Sequence, residues 1–85
     1  MQQTVAYWDD WNTAHIGRHD VTTEEVDEVL ANPLSRMIDN PSPTSNRPAV
    51  FEHTAAGRPL LIAYDVLDED VPRRIYPITA YEPEP

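Results

Sequence analysis

The sequence predicts an α+β domain in which two N-terminal helices pack on a small antiparallel sheet. Two observations predict this class: a capped, amphipathic helix in the first third of the chain, and three strand-like runs joined by short turns in its second half. The 85 residues are 40% hydrophobic and include no cysteine, which favours one domain over residues 1–81 without disulfides. Residues 82–85, Glu-Pro-Glu-Pro, are expected to form a disordered tail.

Two helices are predicted, the first capped by an aspartate at position 9 or 10 and running to about Arg18. The second should extend over Thr23–Ala31, because Thr22 and Glu25 have the spacing of a capping box. Flanking valines add a hydrophobic staple, and an Asn-Pro pair ends the helix. The apolar residues on its inner face are Val26, Val29 and Leu30.

Five strands are predicted from β-branched, aromatic and alternating apolar residues: Val5–Trp8, Leu34–Asp39, Ala49–Thr54, Pro59–Leu67 and Arg73–Tyr81. The fourth is apolar on both faces and is therefore placed in the middle of the sheet. The second helix should pack on its Leu60, Ile62 and Tyr64. Pro77 lacks the N–H that a central strand needs, which indicates an edge position or a bulge. The segment 40–48 is rich in proline, serine and asparagine and should be a loop.

The charge balance restricts the kind of partner that the chain can bind. Fifteen acidic residues oppose six arginines, which gives a net charge of −9 and a pI of about 4.4. Because phosphate neutralisation normally requires a basic surface, this composition points away from nucleic acid and either toward a basic partner or only toward solubility. Genomic base content or adaptation to salt would also produce it. Neither a signal peptide nor a membrane-spanning run is recognised, so a cytoplasmic protein without membrane contact is expected.

A series of short motifs runs along most of the chain. Its residues are Trp8, Asp9, Trp11, Asn12, His15, Arg18, His19, Val21, Glu24 to Leu30, Pro33, Gly57, Arg58, Leu60, Arg74, Ile78, Thr79 and Ala80. In this order they resemble the BrnT-type toxins, small members of the RelE-like superfamily. The resemblance implies a RelE-like fold. It also implies an endoribonuclease of a type II toxin–antitoxin system, which a cognate antitoxin neutralises.

RNA cleavage requires a general base, a general acid and cations that hold the phosphate. The candidate catalytic residues are His15, His19, Arg58 and Arg74. The candidate phosphate-binding residues are Arg18 and Arg73, since a guanidinium can bond two phosphate oxygens at once. Alternatively, Arg73 and Arg74 pair with the acidic residues 68–70 across the preceding turn.

The two histidines of the first helix and three strand tyrosines carry further alternatives. His15 and His19 share a helical face and could bind a metal, but no third ligand is evident, so neither a metal nor a cofactor is expected. The alternative is that Trp11 and His15 pack partly on the sheet while His19 closes the helix. Three tyrosines could be catalytic, could stack on bases or could simply pack within the sheet: Tyr64, Tyr76 and Tyr81.

Three departures from the family pattern change the expected function. Asp20 stands where the family has glycine, Tyr81 stands where it has arginine, and residues 82–85 do not predict its closing helix. We therefore expect a protein-binding or degenerate toxin-like domain without strong nuclease activity. Its partner would be an antitoxin, another protein or a second copy of the chain. The alternatives are an active endoribonuclease and a regulator whose acidic face mimics nucleic acid.

Overall fold

The computed structural model describes residues 4–32, 35–38, 47–70 and 72–83, and within them it has two helices and five strands. In chain order these are β1 (Thr4–Ala6), α1 (Asp10–Gly17), α2 (Thr23–Ala31), β2 (Arg36–Ile38), β3 (Ala49–His53), β4 (Pro59–Asp68) and β5 (Arg73–Tyr81). The predicted α+β class and the bounds of α2 and β5 are confirmed. The predicted ends of the second strand and most of the 40–48 loop lie outside the described residues. No helix in the described ranges is long and apolar enough to cross a membrane.

The five strands form one mixed sheet in the order β1-β5-β4-β3-β2. All neighbours are antiparallel except β1, which runs parallel to β5 with Thr4 opposite Arg73 and Ala6 opposite Ile75. The prediction of a purely antiparallel sheet is therefore wrong. Side-chain alternation indicates a strand but not its direction, and a strand followed by helices can return to a parallel partner. β4 lies in the middle, as predicted, and both of its faces are buried along residues 60–64.

Pro77 lies at a β-bulge in β5, as its missing N–H predicted. The register changes from Ala63 opposite Thr79 to Tyr64 opposite Pro77, so Ile78 has no direct partner on β4. On the other side of β5, pairing with β1 ends at Ile75. Pro77 is therefore accommodated in an interior strand because it lies beyond the end of that short neighbour.

One cluster of buried side chains includes residues of both helices and of three strands. Its members are Ile16, Val21, Val26, Val29, Val50, Leu60, Ile62, Tyr64, Ile75 and Ala80. Trp8 and Leu30 are partly buried and pack against it. Leu30, expected on the inner face of α2, is thus less buried than the two valines beside it.

Each helix begins at a reciprocal capping box. At α2, the Thr22 hydroxyl accepts from the Glu25 N–H at 3.2 Å, and the Glu25 carboxylate accepts from the Thr22 N–H at 3.1 Å, as predicted. At α1, Asp9 and Asn12 make the equivalent pair at 3.0 and 2.8 Å. Asn12 is fully buried and also donates from Nδ2 to the Tyr7 carbonyl at 2.9 Å, which ties the start of α1 to the end of β1.

Candidate functional site

Arg58 is surrounded by acceptors from three separate parts of the chain. Its Nη1 donates to both Glu25 carboxylate oxygens at 3.0 Å and to the Asp20 carbonyl at 2.7 Å. Its Nη2 donates to the His19 carbonyl at 3.2 Å, and its Nε lies 3.1 Å from a Glu82 oxygen. These five residues are the Arg58 cluster. A phosphate could approach this guanidinium only by displacing two carboxylates.

The pKa shifts within the Arg58 cluster agree with stable ion pairing. The hydrogen bond with Glu25 raises the pKa of Arg58, with a further contribution from Glu82. Partial burial opposes ionisation of Glu25, but hydrogen bonds from Thr22 and Arg58 outweigh it and hold the pKa of Glu25 below its ordinary value. Both groups therefore remain charged at neutral pH, and the cluster joins oppositely charged groups rather than presenting a free cation.

The turn after α1 keeps a glycine-like backbone although it contains aspartate. Asp20 has a φ of 58°, in the left-handed region that glycine occupies most readily and that aspartate tolerates better than most residues. Its carbonyl accepts the shortest hydrogen bond of Arg58. Asp20 therefore holds the left-handed position of this turn itself. Beside the turn, the His19 ring lies 5.9 Å from the Tyr81 ring.

Arg73 and Arg74 lie at the opposite end of β5 from the Arg58 cluster. The Arg73 Nη2 is 3.2 Å from a Glu69 oxygen, and its guanidinium lies 5.6 Å from the centre of the Tyr64 ring. Seven residues of strand separate Arg74 from Tyr81, which corresponds to roughly 20 Å. The structure therefore does not bring Arg73 or Arg74 together with His19 and Arg58, and the Arg73–Glu69 pair matches the alternative of local pairing.

Four aromatic rings form a row on the surface beside α1 and β5. The ring centres of Tyr7 and Tyr76 are 6.1 Å apart, those of Tyr76 and Trp11 are 6.5 Å apart, and those of Trp11 and His15 are 4.8 Å apart. The planes of neighbouring rings differ by 30°, 22° and 13°, respectively. Tyr7 and Trp11 are each 55% exposed. We call these four residues the aromatic row.

Asp9 fixes the aromatic row to the beginning of α1. The Tyr76 hydroxyl donates to the two Asp9 carboxylate oxygens at 3.0 and 2.9 Å. The Asn12 N–H and this hydroxyl hold the pKa of Asp9 below its ordinary value. Desolvation and the hydrogen bond to Asp9 raise the pKa of Tyr76. At neutral pH the carboxylate is therefore ionised and the phenol is protonated, so the hydrogen bond persists.

Charged side chains surround the aromatic row. Asp10 is exposed in the first turn of α1, and the Trp8 indole donates to Asp27 at 3.2 Å. Arg74 precedes Tyr76 by two residues and lies on the same face of β5. Arg18 follows His15 by one helical turn. Both arginine side chains are exposed, and neither bonds to a group in the described parts of the chain.

The predicted site residues are thus divided among three places. His15 belongs to the aromatic row, and Arg18 and Arg74 lie beside it. His19 and Arg58 lie in the Arg58 cluster, and Arg73 is paired beside Tyr64. The sequence signal that could have indicated the row is the run Tyr7-Trp8-Asp9-Asp10-Trp11, in which aromatic and acidic residues are interleaved. Its contact with Tyr76 has no local signal, because it depends on the pairing of β1 with β5.

Metal chemistry has no evident support in this arrangement. Within the described ranges, no group of three histidine, aspartate or glutamate side chains could hold a metal ion.

No protein-family model matches the chain, and no curated protein matches it significantly. The class that can be stated is therefore structural: an α+β domain with a mixed five-stranded sheet and an exposed aromatic row.

Proposed function

We propose that this chain is a RelE-like domain, related to the BrnT-type toxins, that binds a protein partner in the cytoplasm and does not cleave RNA. The exposed aromatic row is the single observation that carries the protein-binding part of the proposal. The order of two helices followed by an antiparallel meander of β2 to β5 supports the relationship, although the parallel β1 was not expected. A cognate antitoxin is one partner that the proposal accommodates.

The composition and rigidity of the aromatic row suit a protein interface. Tryptophan, tyrosine and arginine are the residues most enriched among those that dominate binding energy at protein interfaces. Tyr7 and Trp11 expose more than half of their surface, with Arg18 and Arg74 nearby. The hydrogen bond between Tyr76 and Asp9 holds the Tyr76 ring in place before binding, which reduces the entropy lost on association.

The positions of the candidate catalytic groups argue against RNA cleavage. Arg58 and Arg73 are engaged by carboxylates, and His19 is separated from Arg74 by nearly the length of β5. A net charge of −9 repels a polyanion over the whole surface. A nuclease site would need the base, the acid and a free cation within reach of one phosphate.

An endoribonuclease remains the second candidate because of one specific observation. His15 belongs to the aromatic row and Arg18 and Arg74 lie beside it, so unpaired bases could stack on the row while the two arginines contact phosphates. In that case His15, rather than His19, would be the general base or acid.

The cleavage test compares the wild type with three variants in single-turnover reactions at low salt on a single-stranded RNA. The variants are His15→Ala, His19→Ala and Arg74→Ala. We expect no cleavage above background by any of the four proteins, and no growth arrest on induced expression in a bacterial host. Cleavage by the wild type that any of these substitutions abolishes would establish the nuclease and refute the proposal.

The binding test uses the aromatic row as its variable. A photo-crosslinking residue at position 7 should capture a partner in cells, which is then purified and mixed with the purified chain. We expect a complex that Trp11→Ala weakens at least tenfold. His53→Ala should leave it unchanged, because the His53 ring is also about half exposed but lies on β3, which β4 separates from β5. A complex equally insensitive to both substitutions would exclude the row as the interface.

A further inference from the structure

We propose that the aromatic row, together with Asp9 and Asp10, binds an arginine side chain in a basic segment of a protein partner. This inference rests on the proposed protein-binding function and specifies the chemistry of the partner. It starts from the run Tyr7-Trp8-Asp9-Asp10-Trp11, which combines the two kinds of group that recognise an organic cation. Aromatic faces attract a cation through the ring quadrupole, and carboxylates pair with it.

The geometry places these two kinds of group side by side. Trp11 and Tyr7 are exposed, and Asp9 lies within hydrogen-bonding distance of the Tyr76 hydroxyl that stands between them in the row. Asp10 is exposed in the first turn of α1 and immediately precedes Trp11. A guanidinium is planar, so it can stack on a ring of the row while its edge pairs with a carboxylate, which an ammonium group cannot do as well.

The charges around the row favour a cationic partner. α1 runs alongside β5 and in the same direction, because Trp11 lies beside Tyr76 and His19 lies beside Tyr81. Arg74 therefore lies near one end of the row and Arg18 near the other. Their positive charges have acidic neighbours.

The acidic neighbours of the two arginines leave the centre of the row negative. Asp68 is the cross-strand partner of Arg74, and Asp20 follows Arg18 by two residues. Asp9 and Asp10 at the centre form no ion pair with any residue that the structure describes. With a net charge of −9 on the whole chain, the long-range field also attracts a basic segment.

The same arrangement disfavours a second copy of the chain as the occupant. In a two-fold dimer through the row, each end meets either itself or the opposite end. In both orientations the two negative row centres face each other, and each copy carries a net charge of −9, so like charges oppose association.

The experiment measures binding of three short Gly-Ser peptides that differ at three positions, which are all arginine, all lysine or all citrulline. Citrulline keeps the shape of arginine but removes its charge. Isothermal titration at low salt should show binding of the arginine peptide, weaker binding of the lysine peptide and none of the citrulline peptide. Trp11→Ala and Asp10→Asn should each weaken arginine-peptide binding about fivefold to tenfold. Their matched controls, His53→Ala and Asp70→Asn, change a half-exposed ring on β3 and an exposed carboxylate in the turn after β4, and should have no effect.

Several results would overturn the inference. They are equal binding of the citrulline peptide, indifference to Trp11→Ala, tighter row-dependent binding of a single-stranded RNA, and self-association in sedimentation that Trp11→Ala abolishes. If no peptide binds while the reconstituted partner still depends on Trp11, the arginine chemistry is wrong and the protein-binding function stands. Circular dichroism of each variant confirms that a loss of binding is not a loss of folding.

Discussion

The capping boxes of the two helices each connect their helix to a distant element. Thr22 caps α2 through Glu25, and the same glutamate holds Arg58 from the turn between β3 and β4. Asp9 caps α1 and also accepts a hydrogen bond from the hydroxyl of Tyr76 on β5. A cap usually satisfies only the first amides of its own helix. Here both caps also contribute to the tertiary structure.

Replacing Thr22 with alanine should lower the free energy of unfolding by about 1 kcal/mol, because the Glu25 N–H loses its acceptor. Urea denaturation followed by circular dichroism measures the change. Thr13→Ala is the control, since Thr13 is exposed in the interior of α1 and alanine is a better helix former. An equal loss in both variants would mean that the capping bond contributes nothing.

The lowered pKa values of Asp9 and Glu25 predict a specific acid sensitivity. A carboxyl whose pKa is lower in the folded state stabilises the fold above its unfolded pKa, and this contribution is lost as the pH falls through the folded value. The ordinary values are 3.8 for Asp9 and 4.5 for Glu25, so stability should decline as the pH falls below about 4.5. The melting temperature measured between pH 6 and pH 2 follows this loss.

The variant Glu25→Gln isolates one of the two carboxyls. It should be less stable than the wild type at pH 6 and should lose less additional stability on acidification, because position 25 no longer titrates. Parallel pH profiles for the two proteins would show that Glu25 has the same pKa in the folded and unfolded states.

At the scale of elements, the Arg58 cluster connects parts of the chain that the sheet does not join. It links the β3–β4 turn to α2, to the turn between the helices and to Glu82 after β5. Residue 82 was assigned from sequence to the tail, yet its side chain is an ion-pair partner of Arg58.

Arg58→Ala should destabilise the fold by about 1.5–3 kcal/mol, the range for hydrogen bonds to charged groups. The guanidinium is only 23% exposed, so solvent screens these contacts incompletely. Arg47→Ala provides the comparison, because the Arg47–Asp65 pair is about half exposed on each side and such pairs contribute at most about 1 kcal/mol. Chemical denaturation of both variants gives the two values, and a similar small loss in each would make Arg58 an ordinary surface residue.

The sequence was sufficient for most elements because their signals are local. Thr22 and Glu25 are three residues apart, so the start of α2 could be located, and Pro77 marked the bulge in β5. The direction of β1 could not be inferred, since its partner lies almost 70 residues further along the chain. Similarly, Arg58 and Glu25 are 33 residues apart, and no local pattern distinguishes a paired arginine from a phosphate ligand.

At the scale of the whole molecule, stability depends on one cluster of buried side chains around β4. Ile62→Ala should cost about 2–5 kcal/mol, because Ile62 is fully buried in the central strand and its removal leaves a cavity. Leu67→Ala, in the exposed part of the same strand, should change stability by no more than about 0.5 kcal/mol. Equilibrium denaturation measures both, and equal effects would contradict the described core.

The candidate site was only partly predictable, because some of its contacts join residues that are far apart in the sequence. The stacking of Trp11 on His15 follows from their spacing of four residues on α1. Tyr7 and Tyr76 come together only because β1 pairs with β5, and no local sequence pattern predicts that pairing. The aromatic row therefore became visible only when those strands were placed side by side.

The parallel pairing of β1 with β5 has a consequence for how the chain folds during synthesis. Thr4–Ala6 is synthesised almost 70 residues before Arg73–Ile75, its only strand neighbour in the described structure. A long sequence separation between partners slows folding, since the intervening chain must be ordered first. Until β5 emerges, β1 has no strand to pair with, and Tyr7 and Trp11 have no Tyr76 ring to stack on. A ribosome stalled before residue 73 should therefore hold a chain that proteases still cut within β1.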